Sequence, residues 1–312
     1  MTVHHDKFGG GSAICPIDGT SDAQPIYEGP IRTGSSRNPN YETNFRILEC
    51  QACGLAYLDP FPNDIDATYS GTLYWQNRLG ATGIGGFNQF HDHEQQRWFQ
   101  EVGLQNLRNK IVADFGCGTG SFLDLVKGVA SRTVGIDATT LFKNEIEQRG
   151  IDFLNFSSSL PVDWVDTAVC FDTLEHVQDT LGFLHVLRRC LKTDGKAFIG
   201  VPNQNDFLKS ICPSYPRFFY HISHLWYFTS AALVKLIEKS GFGTISVRHI
   251  HKYDLMNMVG WLRDNKGQGK RGSHIFDVLT EESFRLNLER QGVASHILIE
   301  VVPSALKPEI PF

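Results

Sequence analysis

The chain has 312 residues, 41% of them hydrophobic and 20% charged, and 29 basic side chains stand against 34 acidic ones for a formal charge of -5. That length suits one large α/β domain with a smaller module and buries a core without help from disulfides. The acidic balance argues against a dedicated nucleic-acid or anionic-membrane binder, and no run of about 18 apolar residues reads as a transmembrane helix. Seven cysteines, with Cys15, Cys50 and Cys53 in the first fifth of the chain, read as reduced thiols of a cytoplasmic protein, and the N-terminal stretch carries no apolar signal core.

Residues 1–60 are rich in Gly, Pro, Ser and Asn, and within them QPIYEGP and FRILECQACGLAYLDP predict short strands around turns. Residues 61–109 are aromatic and mixed: TYSGTLYWQNRLG, the glycine-rich GATGIGG, then FNQFHDHEQQRWFQEVGLQNL. In the last run Phe90, Trp98 and Leu104 among polar residues predict a helix. From Lys110 strands and helices alternate. The strand KIVADFGCG precedes the helix GSFLDLVKGVA; the strand RTVGIDA precedes the helix LFKNEIEQRG. The strands IDFL and VDTAVCFD, the helix TLGFLHVLRRCL and the strand GKAFIGVPN follow. A long loop over 203–228 leads to the helix SAALVKLIEKSG and the strand TISVRHI. An insertion at about 251–280, a helix near EESFRLNLERQ and a last strand, SHILIEVVP, complete the chain. This alternation predicts an α/β fold, a parallel-type sheet with helices on both faces.

The first strand of the alternating region ends in Asp114-Phe-Gly116-Cys-Gly118-Thr-Gly120, where a helix begins. Glycines let a ligand approach the backbone, and the helix start presents free N–H groups at the carboxyl end of a strand. Asp137, ending the second strand, can accept both hydroxyl hydrogens of a ribose. A dinucleotide fingerprint needs Gly-x-Gly-x-x-Gly; here the spacing is Gly-x-Gly-x-Gly and an acid precedes it. An acid repels a pyrophosphate and attracts an ammonium group. S-adenosylmethionine carries a ribose, an ammonium group and no phosphate, so its chemistry fits this loop better. The alternative is a tight turn without a ligand.

VADFGCGTG, GIDA, FDTLEHV, LRRCLKTDGKAFIGVPN and HLWYFT stand in the order and spacing of the class I S-adenosylmethionine-dependent methyltransferases, which residues 110–305 resemble. The resemblance implies a Rossmann-like, seven-stranded, mostly parallel sheet whose last strand is antiparallel and inserted beside the fifth, a role that SHILIEVVP fits. It implies that Asp114, Gly116, Gly118 and Gly120 line the methionine end of the cofactor and that Asp137 binds the ribose. Asn155 and Phe156 would flank the adenine, or belong to a plain connection.

Phe171-Asp172-Thr-Leu-Glu175-His176 ends the fourth strand, with Phe171 and Asp172 beside the expected cofactor. Methyl transfer needs an aligned acceptor and, for a hydroxyl, a base, and histidine has the right ordinary pKa. Ubiquinone-pathway O-methyltransferases carry a similar acid-x-x-Glu-His, which can hold a divalent cation. Asp172, Glu175 and His176 are therefore candidates for magnesium, for catalysis, or for shaping the loop. In YPRFFYHISHLWYFT two histidines stand among aromatics, which can line a small water-excluding pocket. In the relatives the histidine of HLWYFT lies near the active site, favouring His224 over His221 as the base; the alternative is a helix cap.

Cys50-Gln-Ala-Cys53-Gly is a metal-knuckle spacing, and Cys15-Pro-Ile-Asp18-Gly repeats it with a carboxylate in second place. Together they offer three thiolates and one carboxylate for a tetrahedral structural zinc. A subset of bacterial sugar and natural-product methyltransferases carries a similar N-terminal zinc-ribbon-like module with four cysteines. Asp18 is the departure; it leaves open a weak site, recruitment of His4 or His5, or a relic. In similar enzymes the stretch holding Tyr69, Tyr74 and Trp75 folds over cofactor and acceptor; the alternative is an aromatic bridge between two domains. Arg97 can reach the cofactor carboxylate, or stay solvated. His251, Tyr253, Asn257 and Trp261 in the insertion suit a polyhydroxylated acceptor, and the basic DNKGQGKRGS an anionic part of it or nothing.

The resulting expectation divides the chain into a zinc-binding module (1–60), a helical and aromatic lid and connector (61–109), and a methyltransferase domain (110–312). The expected reaction is O-methylation of a sugar or sugar-like hydroxyl on a small molecule, with His224 or His176 taking the proton. C- or N-methylation of a deoxysugar or natural product stands beside it, as does a non-catalytic zinc-containing binding protein on a decayed fold. Monomer and dimer both remain open.

Overall fold

The computed structural model describes residues 14–33, 39–62, 79, 83–267 and 275–304. The N-terminal strands are β1 (Ala23–Glu28), β2 (Ile31–Arg32), β3 (Tyr41–Glu42), β4 (Arg46–Cys50) and β5 (Ala56–Asp59). Helix α1 (Gly83–Val102) precedes β6 (Ile111–Phe115), α2 (Ser121–Val126), β7 (Arg132–Asp137), α3 (Lys143–Gln148), β8 (Asp152–Asn155) and β9 (Val165–Phe171). Then come α4 (Thr180–Cys190), β10 (Leu191–Pro202), α5 (Leu208–Ile211), α6 (Pro216–Phe219), β11 (Trp226–Tyr227) and α7 (Ser230–Lys239). β12 (Phe242–Ile250), α8 (Leu255–Asp264), α9 (Val278–Arg290) and β13 (His296–Pro303) complete the described elements. The chain divides into two units. One comprises Met1–Asn63, Val201–Leu236 and Val247–Leu298; the other comprises Asp64–Gly200, Ile237–Ser246 and Ile299–Phe312.

The second unit is built on a seven-stranded sheet of order β12-β13-β10-β9-β6-β7-β8. β10, β9, β6, β7 and β8 are parallel neighbours. Val112, Ala113 and Phe115 of β6 are fully buried, as expected of a central parallel strand that is apolar on both faces. α4 shows why these segments become helices. Its cap, Asp179, accepts from the Gly182 amide at 2.9 Å, and Phe183, Leu184, Leu187 and Cys190 bury one stripe. The last strand, β13, lies between the fifth and sixth strands of the alternating region, as the family resemblance implied.

In the first unit, β1, β4, β5 and β11 form a four-stranded sheet, and β2 and β3 a two-stranded one. Ile31, Phe45, Ile47, Ala56, Leu58, Tyr220 and Tyr227 form its core, and Leu208, Cys212, Tyr215 and Trp261 a second cluster. The region read as a long loop therefore contains two short helices and β11, which pairs with β5. The insertion adds α8, capped by Asp254, whose side chain accepts from the Asn257 amide at 2.9 Å. α1 begins inside the glycine-rich GATGIGG and is stopped by Gly103 at φ 79, so Leu104 falls outside it and is exposed. Trp98, fully buried, anchors α1.

Candidate cofactor site and metal cluster

Strand register lines up the candidate cofactor residues of the second unit. Asp114 pairs with Gly135 and Val169, Asp137 with Asn155, and Phe171 with Gly200. Asp114, Asp137, Asn155 and Phe171 thus end, or nearly end, four adjacent parallel strands. The glycine loop turns sharply between them. Gly116, Gly118 and Gly120 have φ of 88, 51 and 76. A Cβ on Gly116 would also collide with the Thr173 side chain. The loop is pinned by Asp137, whose carboxylate accepts from the Gly118 amide at 2.8 Å and the Thr139 amide at 2.9 Å. Arg149 bonds both Thr119 O and Asp124, and the Thr119 hydroxyl donates to Asn88 of α1 at 2.6 Å.

The electrostatics of this loop are one-sided. Asp114 is buried, and burial together with the neighbouring Asp137 pushes its carboxyl up to about 8. Burial also raises Asp137, against the amides that hold its ionised form. Two carboxylates at a glycine-lined strand end fit a group that brings an ammonium and a diol, and disfavour a pyrophosphate. S-adenosylmethionine passes that test.

Aromatic packing supports the site from beneath. Phe171 stacks on Trp98 at 4.6 Å and meets Phe122 edge-on at 5.2 Å. A Cβ on Gly200 would approach Trp98 to 2.7 Å, so a glycine is needed there. Phe156 stacks on Phe183 at 5.1 Å, and its amide donates to Asp137 O at 2.8 Å. Asn155 bonds Ala138 O and Ser157 N. Asp172 has φ 50 and donates its amide to Gly200 O at 2.9 Å. Glu175 is buried, with Oε1 3.9 Å from His176 Nε2. Arg97 pairs with Glu101 at 2.7 Å.

The first unit brings Cys15, Asp18, Cys50 and Cys53 together with all four ligand atoms within 4.8 Å of one another. Cys50 Sγ donates to Asp18 Oδ2 at 2.7 Å, and the Cys15 and Cys53 sulfurs lie 3.4 Å apart. Two matching turns create this. The Gly19 amide donates to Cys15 O and the Gly54 amide to Cys50 O, each at 2.9 Å, with both glycines at positive φ. The sequence reading missed Tyr57. It is fully buried, and its hydroxyl has no hydrogen-bond partner among the described residues. Burial and then the nearby charges of Asp59, Cys15, Cys50 and Asp18 push its hydroxyl up to about 12. A buried, orphaned donor that feels Cys15, Cys50 and Asp18 fits a charged, metal-bound ligand set; the apolar run that opens AYLD was the hint of its burial in the sequence.

His221 and His224 also lie in the first unit, their rings 5.4 Å apart, with the His224 amide donating to His221 O at 2.9 Å. His221 Nδ1 bonds Ser223, and the His224 ring lies 6.0 Å from Tyr227. Asn257 is buried at the start of α8, Tyr253 contacts His251, and Trp261 packs on Tyr215 and Phe218. Tyr69, Tyr74, Trp75, His4, His5 and residues 268–274 lie outside the described residues.

The sheet order, the glycine loop and the acids at neighbouring strand ends define a Rossmann-like methyltransferase fold. The methyltransferase-domain family matches residues 76–247, more than half of the chain. The chain belongs to that family, as a class I S-adenosylmethionine-dependent methyltransferase. It is 29% identical over 170 residues to a "Probable S-adenosylmethionine-dependent methyltransferase" of Mycolicibacterium smegmatis, covering 50% of this chain and 64% of that protein. It is 28% identical over 112 residues to a ubiquinone biosynthesis O-methyltransferase of Actinobacillus pleuropneumoniae, covering 31% and 48%. A solved magnesium protoporphyrin IX methyltransferase from Synechocystis is similar at a TM-score of 0.48 and 14% identity, over 77% of this chain and 98% of that one. The matches span about half the length of the curated relatives. Among the described residues, no helix is long and apolar enough to cross a membrane.

Proposed function

We propose that the protein binds S-adenosylmethionine at the glycine loop and methylates a hydroxyl of a small polar acceptor, sugar-like in character. The observation that carries this reading is the pair of carboxyls at the glycine loop Gly116–Gly120: Asp114, buried and raised by its burial and by Asp137, and Asp137, held by the Gly118 and Thr139 amides. The bound cofactor supplies an electrophilic methyl group on a sulfonium. Asp114 would hold its ammonium and Asp137 its ribose hydroxyls, while Asn155 and Phe156 border the adenine. His224 or His176 would accept the acceptor's hydroxyl proton, with Glu175 Oε1 3.9 Å from His176 Nε2. Tyr253, Asn257 and His221, with Tyr74 and Trp75, are the acceptor-side candidates. The named relative that methylates oxygen supports an oxygen acceptor.

The same reading gives Cys15, Asp18, Cys50 and Cys53 a structural zinc, since four protein ligands leave no open position. Calorimetric titration with S-adenosylmethionine tests the enzyme assignment: saturable binding is expected, and its absence would sink the assignment. Metal analysis of the purified protein tests the zinc. One equivalent is expected, and a Cys50→Ser variant with full occupancy would refute the ligand set.

A further inference from the structure

The cysteine segments and the histidine loop share one sheet. β4 ends in Cys50, and the turn that follows closes by the Gly54 amide on Cys50 O and the Cys50 amide on Leu55 O, both 2.9 Å. That turn delivers the chain into β5. β5 pairs antiparallel with β11, Tyr57 opposite Trp226 and Ala56 opposite Tyr227, and the Leu58 amide donates to Leu225 O at 3.0 Å. Tyr227 then reaches back over the loop. Its hydroxyl accepts from the His221 amide at 2.9 Å and donates to His221 O at 3.1 Å. β2 holds that same end, the Arg32 amide donating to Tyr220 O and the Ile222 amide to Arg32 O, both 2.9 Å, while the far end is held by the Leu58–Leu225 bond to β5. Each end of the segment 221–224 is therefore fastened to a strand of this unit.

β11 has only two residues, too few to hold a register alone. Its place depends on β5, which pairs with β4 from Arg46–Asp59 to Glu49–Ala56, and the Cys50–Leu55 turn closes the end of that ladder at which Ala56 and Tyr57 meet β11. A bare turn of this kind closes with two backbone bonds; a metal would add rigid links from Cys50 and Cys53 to Cys15 and Asp18, 32 or more residues away. Tyr57 stands at the junction, opposite Trp226 in the β5–β11 pairing and with its ring 6.0 Å from that of Trp226.

We propose that the Cys15–Asp18–Cys50–Cys53 metal centre is a positioning element for the His221–His224 loop: metal occupancy fixes the β4–β5 turn, hence β5 against β11, hence the loop. This rests on the zinc reading above and adds a consequence to it. The loop's order depends on zinc, whereas β6 and the glycine loop do not.

Hydrogen exchange read by mass spectrometry, with zinc content measured on the same samples, tests the coupling on the full chain. Purified protein is compared before chelation, after chelation, and after zinc is restored. Chelation should speed exchange about tenfold or more in peptides covering 46–59 and 220–228, reversibly, and leave 111–118 unchanged. Protein without zinc would refute the zinc reading and this proposal with it. Zinc whose removal loosens 46–59 but not 220–228 would overturn the coupling and spare the zinc. Loosening that extends to 111–118 would also overturn it, because the metal would then hold the whole chain. Asp18→Cys gives the converse measurement. A fourth thiolate tightens zinc, so loop protection should persist at chelator concentrations that strip the parent protein. Retained zinc without retained protection would contradict the proposal.

Discussion

Replacing Asp114 by Asn removes a buried carboxyl beside that of Asp137, and the effect can be worked out with its sign. In the protein without cofactor, burial and Asp137 push Asp114 from 3.8 up to about 8. The folded state then keeps a proton that the unfolded chain releases above about pH 4. A raised carboxyl pKa favours the fold fully below that pH and progressively less as pH rises towards 8. The slope from this one group is about 1.4 kcal/mol per pH unit, or on the order of 4 kcal/mol between pH 5 and 8. Asn resembles the protonated acid in shape, so the two proteins should be similarly stable near pH 5. By pH 8 the variant should be the more stable one, by a few kcal/mol at most. Urea unfolding of cofactor-free protein at several pH values between 5.5 and 8 measures this. Parallel stability curves for parent and variant would refute the reasoning. Cofactor affinity should move the other way. An ammonium beside Asp114 favours its ionised form, so affinity should climb from pH 6 to 8 in the parent and stay flat in Asp114→Asn. The variant should bind about tenfold to a hundredfold more weakly at pH 8, the loss expected for one charge-assisted hydrogen bond.

Three further substitutions probe separate contacts. Asp137→Ala removes both the ribose partner and the acceptor of the Gly118 and Thr139 amides, so calorimetry should show at least about tenfold weaker cofactor binding; unchanged affinity would remove the ribose assignment. Gly116→Ala forces a side chain into a backbone at φ 88 and onto Thr173, and should lower stability by about 2 kcal/mol or more in a denaturant titration, while a drop under 0.5 kcal/mol would contradict the loop geometry. Tyr57→Phe removes a buried hydroxyl that has no partner among the described residues. Zinc-free protein should therefore be as stable or up to about 2 kcal/mol more stable, and the zinc-loaded protein should lose that advantage; a large loss in the zinc-free form would show that the hydroxyl is already satisfied.

Much of the cofactor side was legible because its signals are local. Asp114, the glycines and Asp137 sit at strand ends that hydrophobic runs reveal, and parallel register brings strand ends together without further information. The order of β13 between β10 and β12 came with the family resemblance rather than with any pattern in SHILIEVVP. β11 was illegible because two residues carry no period, and Trp226 and Tyr227 read as loop aromatics until β5 is placed beside them. α8 was missed for another reason. Its apolar residues are interrupted by Asn257 and Gly260, and its start depends on an Asp254 cap that sequence alone does not distinguish from a turn. α1 illustrates the reverse. Three glycines make its first turn a poor helix by propensity, yet Trp98 on Phe171 and Asn88 on Thr119 dock it.

The cofactor candidates and the candidate metal ligands lie in different units, which makes their proposed roles separable by measurement. Asp114 through Asp172 fall within Asp64–Gly200, while the four candidate metal ligands, His221, His224, Tyr253 and Asn257 fall within the other unit. On the proposed reading, cofactor affinity follows the protonation of Asp114 and Asp137, whose raised carboxyls have burial as their main cause. Zinc-stripped protein should therefore bind S-adenosylmethionine with unchanged affinity and with the same rise between pH 6 and 8. Methyl transfer should fall on stripping, because the loop bearing His224 loses its support. If affinity fell together with turnover, the metal would be sustaining the sheet itself, and the assignment of separate tasks to the two units would fail.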